Sequence, residues 1–284
     1  MKIDYRYLSD EDFVQLYQTS LEAFSDYLVP VNLTQLQFKN HLAQNAVDLT
    51  RSVGAFFEEK LVGYTLNGFG LWEGKKTAYD AGTGVIPEFR KKGIGRAMFD
   101  FFLPHLRQHG IEQILLEVIE GNERAIRLYR KLGFEISRKL LFFEANRKID
   151  LPLRKDFEVR EIQNPDWNLL KTFWDGKTSW QFSPDSVERK LLPKMILGAH
   201  FDGKCVGYGV LYQLSGVVAQ FAVDKRFRGK GVASTLLIAM QNRTENDKTL
   251  RFGNVDSRLT GLCEFFKNLG LNQTMSQFEM IKTI

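Results

Sequence analysis

One stretch of the sequence decides how the chain folds: Val85-Ile86-Pro87-Glu88-Phe89-Arg90-Lys91-Lys92-Gly93-Ile94-Gly95. Residues 77–86 before its proline have the composition of a strand, and the apolar residues within 95–109 recur at helical spacing. The stretch therefore joins a strand to a helix. Its two glycines allow the backbone to come close to a bound ligand.

A second copy of this stretch occurs later in the chain, which indicates a duplication. Residues 223–233 repeat the pattern V-x-x-x-F-R-x-K-G of residues 85–93, followed in both copies by similar small or apolar residues. Three further matches keep the same order: residues 60–64 with 204–208, 131–134 with 268–271, and 5–6 with 159–160. Collinear matches at this separation indicate two related domains rather than a solenoid.

We predict a first domain over residues 1–147, a linker over residues 148–156 and a second domain over residues 157–284. The linker region is charged and contains a proline, as segments between domains often do. In the first copy, strands are expected at 3–8, 52–57, 61–69, 77–86, 114–119 and from 142, with helices after Ser9 and at 34–42, 95–109 and 122–132. This order predicts an α/β fold with a mixed β-sheet flanked by helices.

The composition excludes several classes of protein. The chain of 284 residues is 44% hydrophobic and carries a net charge of +5, without a basic stripe or an apolar run that would span a membrane. We therefore expect neither nucleic acid nor membrane as a partner. Two cysteines, Cys205 and Cys263, and the lack of an apolar leader favour the cytoplasm. His105 and His109 have metal-ligand spacing but no third ligand, so no metal site is predicted.

The junction between strand and helix predicts a diphosphate site. The start of a helix leaves N–H groups unpaired and carries the positive end of the helix dipole, and both features favour an anion. A P-loop would need lysine and a hydroxyl residue after Gly95, and a dinucleotide fingerprint would need glycine at Met98. Neither condition is met, so a different phosphate-bearing ligand is indicated.

Residues 90–95, read as R-x-x-G-x-G after a strand, resemble the acyl-CoA signature of the GNAT superfamily of N-acetyltransferases, and residues 228–233 resemble it too. A second signature of that superfamily is matched at the expected spacing by Asn122, Ala125, Leu128, Tyr129, Gly133 and Phe134. The resemblance covers nearly all of residues 1–145 and, more weakly, 155–284. It implies two GNAT-like domains in tandem. In each, neighbouring strands would splay apart and admit the pantetheine arm of acetyl-CoA.

The resemblance also implies which residues contact acetyl-CoA. Backbone groups of residues 84–86 would pair with the pantetheine arm, and amides of residues 92–96 would hold the pyrophosphate. The full expected set in the first domain is Gly84, Val85, Ile86, Arg90, Lys91, Lys92, Gly93, Ile94, Gly95, Arg96, Asn122 and Tyr129. The corresponding set in the second domain is Val223, Arg228, Gly229, Lys230, Gly231, Val232 and Ala233.

Direct attack of an amine on a thioester needs a base, an oxyanion donor and an acid. Tyr129 stands where the superfamily places its acidic tyrosine, although a helix aromatic that packs on the sheet would look the same. Asp80 and Glu117 are alternative bases, because each is a carboxylate within strand-like sequence, and Glu120 is a weaker choice. The oxyanion donor is expected near Val85.

The second copy lacks these groups. The repeat offset places Val218, Asn254 and Phe266 where the first copy has Asp80, Glu117 and Tyr129, with Asp256 as a remaining carboxylate if the alignment shifts. Phenylalanine has no proton to give. We therefore expect the second domain to be catalytically weak or inert, and to shape or cover the substrate site.

The predicted function is acetyl-CoA-dependent N-acetylation of a primary amine in a small molecule or a peptide, by a monomer or a homodimer. One alternative is a protein acetyltransferase that acts on lysines or N-termini. Another is a non-catalytic sensor that binds acetyl-CoA. The sequence does not identify the acceptor.

Overall fold

The computed structural model describes residues 2–151 and 156–284. The described chain forms two compact units, each assembled from separate segments. Unit 1 comprises Met1–Ser137, Glu188–Leu191 and Phe278–Ile284, and unit 2 comprises Arg138–Val187 and Leu192–Gln277. The contiguous division at residues 147 and 157 does not reproduce these units. Within the predicted linker, residues 152–155 lie outside the described residues.

Unit 1 follows the expected order of strands and helices. Its elements are β1 (Asp4–Tyr7), α1 (Phe13–Ala23), α2 (Gln35–Gln44), β2 (Val53–Phe57), β3 (Lys60–Trp72), β4 (Lys75–Val85), α3 (Ile94–Gln108), β5 (Gln113–Ile119), α4 (Glu123–Lys131) and the start of β6 (Glu135–Ala145). The strand expected from residue 142 already begins at Glu135. Its first three residues, Glu135, Ile136 and Ser137, are all exposed and two of them are polar, so they give no apolar pattern.

Local sequence explains where the helices of unit 1 begin and end. The hydroxyl of Thr34 accepts a hydrogen bond from the Gln37 amide at 3.2 Å, and the Gln37 side chain accepts one from the Thr34 amide at 2.8 Å. This reciprocal pair starts α2. Gly133 follows α4 with a φ of 86°, the left-handed conformation that commonly ends a helix.

The sheet of unit 1 is completed by the end of the chain. Strands β1 to β4 pair antiparallel in sequence order, and β4 pairs parallel with β5. The C-terminal part of β12 (Leu271–Thr283) lies next to β5, followed by the start of β6. The Ile284 amide donates to the Glu112 carbonyl at 3.0 Å, and the Ser137 hydroxyl donates to the Glu279 carboxylate at 2.7 Å. The first half of the sequence therefore does not contain the whole of unit 1.

Helices α1 and α3 lie on opposite faces of the sheet. A Cβ on Gly84 of β4 would meet Ala23 and Phe24 at the end of α1, at 3.0 and 3.2 Å. A Cβ on Gly63, which is paired with the residue after Gly84, would meet Ile94 of α3 at 3.4 Å. Because successive strand residues point to opposite faces, these contacts place the two helices on different sides.

Unit 2 repeats this order with shorter helices after its first strand, as the shorter second copy predicts. Its elements are β7 (Glu158–Glu161), α5 (Trp167–Lys171), α6 (Pro184–Arg189), β8 (Met195–Phe201), β9 (Lys204–Tyr212), β10 (Val217–Val223), α7 (Val232–Gln241), β11 (Arg251–Asp256), α8 (Thr260–Asn268) and the start of β12. Strands β7 to β11 lie in sequence order, and β6 pairs antiparallel with β11.

Candidate active site

Strands β4 and β5 separate partway along their length, as the resemblance to the GNAT superfamily implies. Their parallel pairing joins Thr77 to Gln113 and ends where Asp80 faces Leu116. Beyond that point, β4 continues to Val85 and β5 to Ile119. The register between β3 and β4 shifts at the same place, because Asn67 faces Asp80 while Leu66 faces Gly82. Ala81 is therefore the extra residue of a β-bulge beside the opening.

Asp80 and Tyr129 meet at this opening. The Tyr129 hydroxyl donates to Asp80 Oδ2 at 3.1 Å, and the Thr83 hydroxyl donates to the same oxygen at 2.9 Å. The Gly82 amide donates to Asp80 Oδ1 at 3.0 Å. Both members of the pair are buried, Asp80 being 5% exposed and Tyr129 7% exposed. A buried acidic group and a buried tyrosine thus share one hydrogen bond where the two strands part.

Burial sets the protonation of both groups. It raises the pKa of Asp80 from 3.8 to about 6, although the hydrogen bonds from Thr83, Gly82 and Tyr129 oppose the rise. Burial, and then the neighbouring Asp80 carboxylate, raise the pKa of Tyr129 well above its ordinary 10. At neutral pH, Asp80 is therefore mainly ionised and able to accept a proton, while Tyr129 keeps its own.

Glu117, the other candidate base, lies on β5 one residue beyond the paired position of Asp80. Because Leu116 faces Asp80 and side chains alternate along a strand, Glu117 points to the opposite face of the sheet. It is partly buried. The structure brings Tyr129 together with Asp80 and does not bring Glu117 to that pair. Glu120 is partly exposed in the turn after β5.

The predicted phosphate loop forms the start of α3. Lys91 and Gly93 have positive φ values of 62° and 80°, and the Ala97 amide makes the first helical bond, to the Gly93 carbonyl at 3.0 Å. The amides of residues 94–96 precede that bond, so they have no acceptor within the helix. This arrangement is suited to a diphosphate.

One main-chain amide of β4 faces the opening between β4 and β5. The Ile86 amide donates to the Val62 carbonyl at 3.0 Å, so Ile86 bonds towards β3. Backbone groups alternate between the two edges of a strand, which directs the amide of Val85 towards the opening. Val85 therefore presents a main-chain donor at the opening, and its contact with a pantetheine arm or an oxyanion stays a prediction.

Arg90, which belongs to the set predicted to contact acetyl-CoA, braces the end of β4 through its own hydrogen bonds. Its guanidinium group donates to the Val85 carbonyl at 3.0 Å and to the Ala23 carbonyl at 2.9 Å, and it pairs with Asp26 at 2.6 Å. These bonds hold the end of β4 against the end of α1. In unit 2, Arg228 repeats the contact by donating to the Val223 carbonyl at 3.0 Å.

Asn122 begins α4, and its side chain accepts a hydrogen bond from the Ala125 amide at 3.1 Å. Its amide nitrogen lies 3.5 Å from the Tyr27 hydroxyl, in the segment between α1 and α2. Asn122 thus lies at the end of β5 that borders the opening.

The polar residues that support Asp80 were missed in the sequence. Thr83 and Gly82 gave no signal there, because nothing in a strand pattern marks a hydroxyl or an amide that bonds to a nearby carboxylate.

Unit 2 contains a cavity of about 950 Å³ at the equivalent place. Strands β10 and β11 pair only at Val217 and Val218, and the cavity extends from their separation to the start of α7. The phosphate loop is preserved: Gly229 and Gly231 have φ values of 74° and 92°, and the first helical bond runs from the Thr235 amide to the Gly231 carbonyl at 3.0 Å. The size of the cavity is suited to an extended ligand.

Among the described residues that line this cavity, none forms a counterpart of the Asp80–Tyr129 pair of unit 1. Val218 faces Phe252 as Asp80 faces Leu116, and Phe266 on α8 packs 4.1 Å from Phe252, between ring centroids. The pairing aligns Glu117 with Gly253 rather than with Asn254, because the irregular backbone of β11 shifts the alignment by one residue.

Asp256 keeps a carboxylate, but it is engaged with two arginines. Arg258 lies at 2.6 Å and Arg138 at 3.4 Å. Burial raises the pKa of Asp256, but the hydrogen bonds and charges of Arg258 and the charge of Arg138 outweigh it and lower the pKa overall. A carboxylate held in this way is a poor proton acceptor.

The described ranges, 2–151 and 156–284, contain no cluster of three or more potential metal ligands. The His105 and His109 rings are tilted by 36° to each other, with their centroids 4.0 Å apart. No helix in those ranges is both long and apolar enough to cross a membrane.

The chain is similar to acetyltransferases in both of its halves. The profile of the acetyltransferase (GNAT) family matches residues 11–134, and that of an acetyltransferase (GNAT) domain matches residues 175–281. A mycothiol acetyltransferase of Propionibacterium freudenreichii subsp. shermanii is 31% identical over 128 residues, which cover 45% of this chain and 41% of the relative. The match thus spans less than half of that relative.

Two solved structures share the fold over almost the whole chain. A tandem GNAT protein from the clavulanic acid biosynthesis pathway has a TM-score of 0.71 at 15% identity, covering 99% of this chain and 98% of that one. A GCN5-related N-acetyltransferase from Sphaerobacter thermophilus has a TM-score of 0.71 at 14% identity, covering 99% and 95%. At these identities the likeness supports the fold alone.

Proposed function

The chain belongs to the GNAT acetyltransferase family, and from that premise we propose that unit 1 transfers the acetyl group of acetyl-CoA to a primary amine. The observation that supports this most is the hydrogen bond of 3.1 Å between Tyr129 and Asp80 where β4 and β5 separate. A proton acceptor and a proton donor are thereby held together, next to a loop suited to a diphosphate.

The residues of unit 1 fit acetyl-CoA as the acetyl donor. The amides of residues 94–96 would hold its pyrophosphate, and the Val85 amide would pair with the pantetheine arm or the thioester oxygen. Acetyl-CoA supplies an acetyl group activated as a thioester. Arg90 acts here by positioning, since its contacts with the Val85 and Ala23 carbonyls keep β4 open beside α1.

Asp80 and Tyr129 form a proton path in this proposal. Asp80 accepts a proton from the attacking amine, which must be neutral to react. Tyr129 donates its proton to the departing thiolate and regains one from Asp80 through their shared hydrogen bond. The amine thus loses one proton and the thiol gains one, and the pair returns to its starting state.

We propose a small-molecule amine as the acceptor. The relative named mycothiol acetyltransferase supports this choice over a protein acceptor. The deciding experiment is an acetyl-CoA turnover screen with amines, amino acids, polyamines, aminoglycosides and peptides. Turnover with peptides alone would favour protein acetylation, and tight binding of acetyl-CoA without turnover of any amine would favour a sensor.

We further propose that unit 2 binds a CoA molecule and does not transfer its acyl group. The cavity of about 950 Å³ and the preserved loop support binding. Val218 and Phe266 stand in place of the reactive pair, which supports the lack of transfer. The chain would then hold two CoA sites with different roles.

Removing one loop amide from each unit tests both CoA sites. Proline is tolerated in the first turn of a helix but has no N–H, so Gly95→Pro removes one donor from unit 1 and Ala233→Pro one from unit 2. Calorimetry with CoA is expected to show two sites in the unaltered chain. Each variant should weaken one site roughly 10- to 100-fold, the effect of losing a hydrogen bond to a charged group.

Gly95→Ala is the matched control, because unit 2 carries alanine at the equivalent Ala233. It adds a Cβ that approaches Leu128 at 3.2 Å but keeps the amide, so CoA affinity should change little. Turnover should fall with Gly95→Pro and persist with Ala233→Pro. A single binding event in the unaltered chain, or lost turnover with Ala233→Pro alone, would contradict these assignments.

The rate is expected to depend on pH through Asp80. The ionised form is the base, and its pKa is raised to about 6 by burial. Lowering the pH through 6 protonates Asp80, so kcat/KM should fall about tenfold per pH unit below that value and level off above it. A pH profile measured with saturating acetyl-CoA and low acceptor checks this. An acid limb near pH 4 would point to an unburied carboxylate instead.

A further inference from the structure

A partly buried histidine reaches the bulge from the face of the sheet opposite to Tyr129. His41 lies on α2, and its Nε2 is 2.8 Å from the carbonyl oxygen of Ala81. Its Nδ1 is 3.3 Å from the side-chain amide nitrogen of Asn45. Ala81 is the extra residue of the bulge, directly after Asp80 and directly before Gly82.

These two contacts determine the protonation of the ring. The amide nitrogen of Asn45 can only donate, so Nδ1 of His41 accepts and Nε2 carries the hydrogen that is donated to Ala81. Burial lowers the pKa of His41, against a smaller opposing effect of the bond to Ala81, and keeps the ring neutral. His41 is therefore a fixed donor to the backbone rather than a proton acceptor for substrate.

The bond satisfies a carbonyl that the sheet does not pair. A bulge leaves its extra residue without a cross-strand partner, and a buried carbonyl without a donor is costly. Fixing the Ala81 carbonyl also fixes the next amide, that of Gly82, which donates to Asp80 Oδ1 at 3.0 Å. The histidine thus acts on Asp80 through one peptide group.

Helix α2 makes close contacts with its neighbours within unit 1. The Asn45 carbonyl lies so close to β3 that a Cβ on Gly68 would meet it at 2.0 Å. On another side, the Leu191 amide donates to the Asn40 side chain at 2.9 Å, and Arg189 Nε donates to the Gln44 carbonyl at 3.3 Å. His41 therefore projects from a helix with little freedom to shift.

Unit 2 shows that the fold does not require this histidine. It has a bulge at the equivalent place, where the register shifts between Val218 and Gln220. Its single histidine, His200, lies on β8, with Nδ1 3.1 Å from the carbonyl of Gly198 on its own strand. The histidine occurs at the bulge that carries Asp80 and not at the bulge that carries Val218.

From these contacts we infer that His41 is a positioning residue for the acetyl transfer proposed above: its Nε2–H holds the bulge carbonyl of Ala81 and thereby the orientation of Asp80. The inference rests on the proposed function of unit 1. The titratable groups that the structure places around Asp80 are Tyr129 on α4 and Tyr64 on β3, and burial raises the pKa of both, so both stay protonated. Asp80 thus remains the group that titrates at this site.

The test compares two substitutions at one position. The amide nitrogen of glutamine reaches where Nε2 of histidine lies, so His41→Gln keeps the donor and His41→Ala removes it. We expect His41→Ala to lower kcat roughly tenfold or more, since small displacements of a reacting group are costly, and to leave CoA affinity within about twofold. Its acid limb should move to higher pH as Asp80 loses the Gly82 bond. His41→Gln should restore most of kcat and return the acid limb of the pH profile to its original position.

His105→Gln is the matched control. His105 is also partly buried, on α3, and its Nε2 has no hydrogen-bond partner in the structure. The His105→Gln variant should be as active as the unaltered chain. Equal losses in His41→Gln and His41→Ala at unchanged thermal stability would overturn the positioning role and assign the ring itself to the chemistry. An unchanged kcat in His41→Ala would overturn the inference too.

A second measurement separates this inference from the proposed function. Nitrogen NMR of the unaltered chain should show His41 as the neutral Nε2–H form, with no titration near the ordinary pKa of about 6.5. If no amine were acetylated, the proposed function would fail while this result could still hold. Titration of His41 near pH 6.5 would contradict the fixed donor even in an active enzyme.

Discussion

Asp80→Asn should abolish most turnover while making the protein more stable. Loss of a general base costs roughly 10²- to 10⁴-fold in rate, and asparagine keeps the shape but cannot accept the proton. The stability gain follows from burial, which raises the pKa of Asp80 from 3.8 to about 6. Steady-state kinetics and urea unfolding of the same variant measure the two effects.

The sign of the stability change depends on pH. The folded pKa of Asp80 exceeds the unfolded value, so the native state binds the proton more tightly, and stability is lost as the pH rises from about 4 through 6. At pH 7.5 the ionised group costs up to about 3 kcal/mol, from a shift of roughly two units. The difference in unfolding free energy between variant and unaltered chain should therefore shrink towards zero as the pH falls from 7.5 to 4.

Glu117→Gln decides between the two candidate bases. Glu117 lies on β5 and points to the face opposite to Asp80, so its loss should leave turnover within a few fold. If Glu117→Gln were the inactive variant and Asp80→Asn kept its rate, the base would be Glu117. The Asp80–Tyr129 pair would then be a structural contact.

Tyr129→Phe should lower kcat by roughly 10²-fold or more, because the thiolate would leave without a proton donor. The variant should fold, since Phe266 occupies the equivalent position of unit 2 in a fully buried aromatic cluster. The hydrogen bond from Tyr129 lowers the pKa of Asp80, so its loss should also move the acid limb of the pH profile to higher pH.

Tyr5→Phe serves as the control for Tyr129→Phe. Tyr5 lies on β1, and its ring contacts Phe101 with centroids 6.4 Å apart, so its hydroxyl has no part in the proposed chemistry. Stopped-flow measurement of thiol release and the pH profile of both variants complete the test. A Tyr129→Phe enzyme with unchanged kcat and an unchanged acid limb would remove the tyrosine from the mechanism.

Much of unit 1 could be predicted from the sequence because its signals are local. These signals act over a few neighbouring residues. They are the cap at Thr34, the end of the helix at Gly133 and the glycines of the phosphate loop. The duplication was visible for the same reason, since both loops need similar residues at the same spacing. Tyr129 was predicted from the spacing of the family signature, and Asp80 from its place within a strand. The hydrogen bond between them is visible only in the structure.

Other features depend on contacts between distant parts of the chain, and the sequence did not reveal them. The contact of His41 with the bulge could not be predicted, because a histidine on an amphipathic helix gives the same sequence pattern whether it faces water or a carbonyl of the sheet. Asp80 and Glu117 could not be ranked, because the face that each occupies depends on the pairing of Asp80 with Leu116 and on the bulge at Ala81.

The closing strand of unit 1 has a consequence for synthesis. Phe278–Ile284 must reach β5 before that sheet is complete, yet these residues are made only after the segments of unit 2. At about 5–20 residues per second, the ribosome needs on the order of ten seconds after β5 has emerged to deliver them. During that interval the nascent chain exposes an unpaired strand edge, a template for wrong pairing. The sheet of unit 1 can therefore close only after the segments of unit 2 have been made, and chaperones that shield such edges should increase the yield.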